Sequence, residues 1–212
     1  MDRTDVTVQS VTDVGPGTVA IDLEAPADFE ALPGQFVLLR ATPEDEEIAR
    51  HYTLSRPPEN GTFEITVGVD PEGELGPWLA GLEGGETVAI EGPYGQITYE
   101  GDRDVVAIAG GPGVGPAVSI AEAAHDAGHG AVVIYAADDP AHRERLEALA
   151  ADGADVTLLE AVDESGLEEA IATHLEDGRI YAFGFDGFVT RVADAIDAHG
   201  GNPDDARIEN FG

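Results

Sequence analysis

The hydrophobic pattern changes period near residue 100, and that change limits the folds open to the chain. Over residues 1–99 the apolar positions come in six short runs, at 6–8, 18–23, 35–40, 52–54, 62–69 and 87–90. Turn residues separate them: Gly15-Pro16-Gly17, Pro33-Gly34, Pro57-Pro58, Asn60-Gly61 and Gly84-Gly85. Short runs spaced this way predict an antiparallel β-barrel or sandwich. A single short helix over 77–82 interrupts them, with Pro77 suited to its first turn. From residue 102 the rhythm becomes strand, helix, strand, helix. Strands are predicted over 105–109, 131–136, 154–159, 179–183 and 207–211, with helices ending near 127 and over 141–150, 167–175 and 188–198. Apolar strands alternating with helices predict an α/β, doubly wound parallel sheet covered on both faces. The chain therefore reads as two domains, 1–99 and 102–212, joined through 99–103, and 212 residues suffice for two small cores.

Charge separates function classes. There are 43 acidic and 10 basic residues, a net charge of −33, and every basic residue is Arg. No basic cluster exists, so nucleic acid lacks its electrostatic footprint and is excluded as a partner. With 42% hydrophobic residues in periodic blocks, the acidity does not signal disorder. It resembles instead the surfaces of proteins from salt-loving microbes, where molar salt shortens the Debye length to about 3 Å and screens self-repulsion. The absence of Cys removes disulfides, thiolate nucleophiles, thiolate-bound zinc and Cys-ligated iron–sulfur clusters. The charged start and the glycine- and proline-broken stretch 105–121 give neither a signal peptide nor a membrane span, so the expected compartment is the cytoplasm. His125, His129 and His199 sit at or just past helix carboxyl ends, where partial positive charge is favourable, and no metal site is expected.

The segment Gly110-Gly111-Pro112-Gly113-Val114-Gly115-Pro116 follows the first strand of the second half and opens a helix. Glycines let a ligand approach the backbone, and a helix amino terminus offers amide donors to phosphate. The spacing differs from the G-x-G-x-x-G fingerprint, so the loop alone names no ligand. Asp138 and Asp139 follow the next strand, where an acid can accept hydrogen bonds from an adenosine ribose, which would favour NAD over NADP. In the first half, Arg50-His51-Tyr52-Thr53 lies on a strand. An Arg fork suits phosphate, a Tyr ring can pack on a flat ligand, and a hydroxyl can bond a ring nitrogen.

Taken in order, Pro33-Gly34-Gln35-Phe36-Val37, Arg50-His51-Tyr52-Thr53, Trp78-Leu79, Glu91-Gly92-Pro93-Tyr94-Gly95, the 110–116 loop and Glu209-Asn210-Phe211-Gly212 resemble the ferredoxin–NADP reductase superfamily across nearly the whole chain. The resemblance implies a flavin-binding barrel followed by a nicotinamide-dinucleotide domain, with hydride passing between NADH or NADPH and bound FAD, favoured over FMN. It implies that Arg50 binds flavin phosphate, Tyr52 packs on the isoalloxazine and Thr53 bonds near its N5. Val67, Gly76 and Pro77 would complete the flavin site, Gly76 standing where the family often has Ser or Thr. Gly110, Gly111, Gly113, Val114, Gly115, Asp138, Phe183 and Gly184 would hold the dinucleotide, and Phe211 would lie near the flavin. Thr53 and Glu209 are the candidate catalytic residues. Phe183-Gly184-Phe185 departs from the family's Cys-Gly-Pro, so Phe183 supplies no thiol and could hinder the nicotinamide. A ferredoxin or another acceptor protein is the implied partner. A non-catalytic flavin-binding subunit or sensor, or an electron-transfer subunit of a larger complex, is the alternative.

Overall fold

The computed structural model describes residues 2–43 and 46–212, and the chain divides into two units, Met1–Thr98 and Tyr99–Gly212. In the first, β1 (Thr4–Gly15), β2 (Thr18–Glu24), β3 (Phe36–Ala41), β4 (Ile48–Glu59), β5 (Thr62–Gly68) and β6 (Thr87–Tyr94) close a barrel in the order β1-β2-β5-β4-β3-β6. All its ladders are antiparallel. Closure leaves no sheet edge open to another chain. Val8, Ile21, Leu23, Leu39, Leu54 and Ile65 are among the wholly buried side chains of its interior. Asn60 and Gly61, both at positive φ, make the tight β4–β5 turn that their dipeptide foretells.

Two local expectations shift. Pro57 and Pro58 lie within β4 rather than ending it. The β4–β5 register skips after Leu54 and again after Arg56, so residues without an N–H sit where the ladder is already broken. The short helix α1 spans Leu75–Ala80, placing Pro77 third in it, where its missing amide is still one of the unpaired first-turn donors.

The second unit is a five-stranded parallel sheet in the order β11-β10-β7-β8-β9. The strands are β7 (Val105–Gly110), β8 (Ala131–Ala136), β9 (Asp155–Leu159), β10 (Arg179–Gly184) and β11 (Arg207–Asn210), with helices α2 (Val114–Asp126), α3 (Arg143–Ala151), α4 (Glu164–His174) and α5 (Asp186–Ala198) between them. Val106, Ile108, Ile134, Ile180 and Ala182 face α4 and α5 in one buried cluster. The alternate positions of the strands, Ala107, Ala109, Tyr181 and Phe183 among them, are buried toward α2. Strand order reverses between β7 and β10, and in such sheets ligands bind beyond the carboxyl ends of the strands at that point. No helix among the described residues is long and apolar enough to cross a membrane.

Candidate cofactor sites

On the barrel, β4 carries the Arg50, Tyr52, Thr53 series. Arg50 is exposed, and its Nη1 donates to the Ala49 carbonyl, at 2.8 Å. Among the described residues, Arg3, Arg40, Arg56, Arg103 and Arg145 pair with carboxylates. Arg50 has no carboxylate partner among the described residues, although the chain holds four acids for each base. Its charge is therefore available to an anion. Tyr52 is half-buried against the barrel interior, and burial pushes its hydroxyl up to about 12, so it is neutral over the working pH range. Thr53 is buried beside it on the strand. An aromatic group surrounds this stretch: the Phe36 ring lies 5.1 Å from His51, edge-on, and 5.9 Å from Tyr94. An available guanidinium and a half-open phenol on one face of β4 suit a ligand that is both anionic and flat.

Gly76 lies where an added Cβ would stand 3.3 Å from the Gly68 carbonyl oxygen and the Val69 Cα. The first turn of α1 thus presses on the end of β5, which explains Gly where a hydroxyl residue is expected. The Val67 side chain is wholly buried in the barrel interior, which leaves only its backbone to meet a ligand.

In the sheet unit, the glycine loop sits at the switch point, since Phe183 pairs with Ala109 and the loop leaves the end of β7. Residues 111–113 form one 3-10 turn that runs directly into α2. Three glycines here have a packing reason. A Cβ on Gly110 or Gly184 would lie 2.6–2.7 Å from the Phe188 ring, and one on Gly113 would lie 2.7 Å from the Phe183 carbonyl carbon. Gly111 differs: its φ is +54° and open space surrounds its Cβ direction. The glycine content that points to phosphate from sequence is thus partly a requirement of helix–sheet contact. What remains for a phosphate is the amide cradle at the head of α2, thinned by Pro112 and Pro116, which have no N–H.

Other expected positions move. Val114 is wholly buried, and its N–H is spent on the Gly111 and Pro112 carbonyls. Gly115 is buried within α2. Phe183 has no exposed surface, so its ring packs the core and neither touches nor obstructs a ligand. Phe185, 55% exposed, is the aromatic at the end of β10, edge-on to Phe211 at 6.1 Å. Strand alternation, carried one residue past Gly184, would have found it. The Phe211 N–H donates to the Gly184 carbonyl at 3.0 Å and Asn210 Nδ2 to Asp186 Oδ1 at 2.9 Å, so the terminal residues are knitted to the turn after β10. Glu209 lies on β11 in register with Phe183. Asp138 is exposed at the end of β8, its Oδ1 accepting from the Ala161 N–H at 3.1 Å.

The comparisons agree with this geometry. Residues 5–99 match the family model of the oxidoreductase FAD-binding domain, nearly all of the barrel unit. NADH-cytochrome b5 reductase 1 of Ajellomyces capsulatus is 38% identical over 107 residues, 48% of this chain and 34% of that protein. The glycine betaine monooxygenase reductase subunit of Chromohalobacter salexigens is 36% identical over 102 residues, 46% of this chain and 27% of that protein. The match therefore spans about a third of these curated relatives. Among solved structures, a Neisseria gonorrhoeae ferredoxin NADP+ reductase with bound FAD and NADP is similar over 100% of both chains, with a TM-score of 0.83 at 18% identity. The ferredoxin reductase in carbazole 1,9a-dioxygenase has the same TM-score at 20% identity, covering 100% of this chain and 70% of that one.

Residues 5–99 thus match an FAD-binding domain, and the whole chain has the fold of these solved reductases. Within this reductase fold, His142 marks the start of α3 at the β8 end of the sheet. It is 4% exposed, holds a left-handed φ of 53°, and its imidazole is pushed down to about 4, chiefly by burial, then by the Arg145 charge, with Glu122 opposing. A depressed pKa means stability that is full above about 6.5 and lost as pH falls through about 4. Asn accepts the left-handed backbone. In denaturant titrations at pH 7 and pH 4, His142→Asn is expected to lose less stability on acidification than the parent, by up to about 3 kcal/mol. Equal losses would deny the buried imidazole that role.

Proposed function

We propose that the chain is an FAD-dependent oxidoreductase that draws hydride from NADH or NADPH and delivers electrons to a separate acceptor. The observation that carries this reading is Arg50, without a carboxylate partner among the described residues, beside half-open Tyr52 on a barrel that matches the FAD-binding domain. Bound FAD supplies hydride acceptance and electron release singly or in pairs. The chain supplies position. Arg50 holds phosphate, Tyr52 offers its ring and a neutral hydroxyl, and Thr53 places a hydroxyl near the reactive ring nitrogen. Gly76 and Pro77 open α1 toward the pyrophosphate. In the sheet unit the loop at Gly110, Gly111 and Gly113 receives the dinucleotide phosphates, and Asp138 keeps its second carboxylate oxygen for a ribose hydroxyl, favouring NADH.

The non-catalytic reading drew its support from Phe183 and Gly76. Burial of the Phe183 ring and the packing of Gly76 on β5 take that support away. With no Cys in these 212 residues, a Cys-ligated iron–sulfur acceptor would be held on another chain, and a ferredoxin or an oxygenase component fits. The acidic, Lys-free surface fits work in concentrated potassium salt inside a cell. The test is protein purified in molar KCl, its released flavin separated by chromatography, and its coenzyme choice read from steady-state dye reduction. FAD and a preference for NADH of about tenfold or more are expected, the loss of one charge-assisted contact. FMN, or equal use of NADPH, would overturn those two assignments.

A further inference from the structure

The glycine loop offers phosphate no side-chain charge, so a cation close by would strengthen its hold on a dinucleotide. Arg191 on α5 is placed to give one. Its guanidinium carbon lies 5.9 Å from the centre of the Phe188 ring. That ring fills the space directly under Gly110 and Gly184, the two backbone positions that flank the switch point. The Arg191 side chain runs back toward the first turn of α5, its Nη1 3.8 Å from the Cβ direction of Gly187. It therefore lies toward the carboxyl-end rim of the sheet, as helix side chains lean.

Two features leave it unspent. Arg191 has no carboxylate partner among the described residues, in a chain with 43 acids. Its Nε is buried and has no hydrogen-bond partner. A buried guanidinium nitrogen without an acceptor is costly, and in native proteins such a group has a reason. Stacking on Phe188 holds the planar fork in place, which lowers the ordering cost of engaging a phosphate.

We infer that Arg191 binds the pyrophosphate of the pyridine dinucleotide, as the cationic half of a site whose other half is the loop at Gly110, Gly111 and Gly113. The inference rests on the proposed function, and it adds to it the residue that fixes affinity for phosphate.

The test is calorimetric titration of the intact, FAD-loaded protein with NAD+, and separately with uncharged adenosine. Arg191→Met keeps an unbranched apolar stem on α5 while removing the charged guanidinium that lies over Phe188. It is expected to weaken NAD+ binding about 10- to 100-fold, as for loss of a charge-assisted hydrogen bond. Adenosine affinity, flavin content and the melting temperature should hold, and Arg191→Lys should recover part of the NAD+ affinity. Wild-type binding of NAD+ that Arg191→Met leaves intact would overturn the role of Arg191 and leave the functional reading standing. A wild-type protein that binds neither NAD+ nor NADP+ would overturn both.

Discussion

Arg50→Ala is expected to leave the purified protein largely colourless. The guanidinium is exposed and lacks a carboxylate partner among the described residues, so its removal breaks no ion pair of the fold. The barrel interior, built from Leu54, Ile65 and their neighbours, is untouched. What is lost is a planar fork facing phosphate, and hydrogen bonds to a charged group are worth about 1.5–3 kcal/mol, or roughly 10- to 100-fold in affinity. The ratio of flavin to protein after exhaustive dialysis, and the FAD dissociation constant by fluorescence quenching, read this directly. Arg50→Lys should fall between, because a point charge replaces a fork. Full occupancy in Arg50→Ala would remove Arg50 from the flavin site.

The second large effect is structural. Gly113→Ala would drive a methyl group into the Phe183 backbone, with the carbonyl carbon 2.7 Å and the Phe183 Cβ 3.0 Å away. Neither neighbour is the end of a flexible side chain; both belong to β10, a strand paired on both sides. Relief requires α2 to move off the sheet, so the expected cost is about 3–5 kcal/mol, the range of severe core disruption. Gly111→Ala, two residues earlier, meets no atom and pays only for its left-handed φ of +54°, about 1–2 kcal/mol. Denaturant unfolding of both variants beside the parent, followed by fluorescence and far-ultraviolet dichroism, separates them. If the two cost the same, the packing account of the loop is wrong.

That contrast shows how far the residues could be read in advance. The barrel and the doubly wound sheet were legible because apolar period and turn chemistry agree along the chain. Asn60-Gly61 makes the turn it advertises, and the strand-helix alternation after residue 102 gives the observed order of elements. Arg50 stands out by residue type as a candidate for phosphate, but only the structure shows that no carboxylate pairs with it among the described residues. The glycine loop was over-read. Composition cannot distinguish a glycine needed for ligand approach from one needed because Phe188 or Phe183 lies against it. The side chains of Val67, Val114 and Phe183 fail as ligand contacts for the same reason, since a side chain's burial is decided by distant segments. Phe185 and Arg191 escaped notice because one lies past a strand end and the other depends on a ring three residues away.

The central claim is that flavin on the barrel is reduced by a pyridine nucleotide bound at the sheet's switch point. Anaerobic mixing of the FAD-loaded protein with NADH in molar KCl, watched through the visible flavin band, addresses both halves at once. Bleaching in step with coenzyme oxidation, slowed at sub-saturating NADH in Arg191→Met, is the expected result. A flavin that stays oxidised with excess NADH and with excess NADPH would contradict the account.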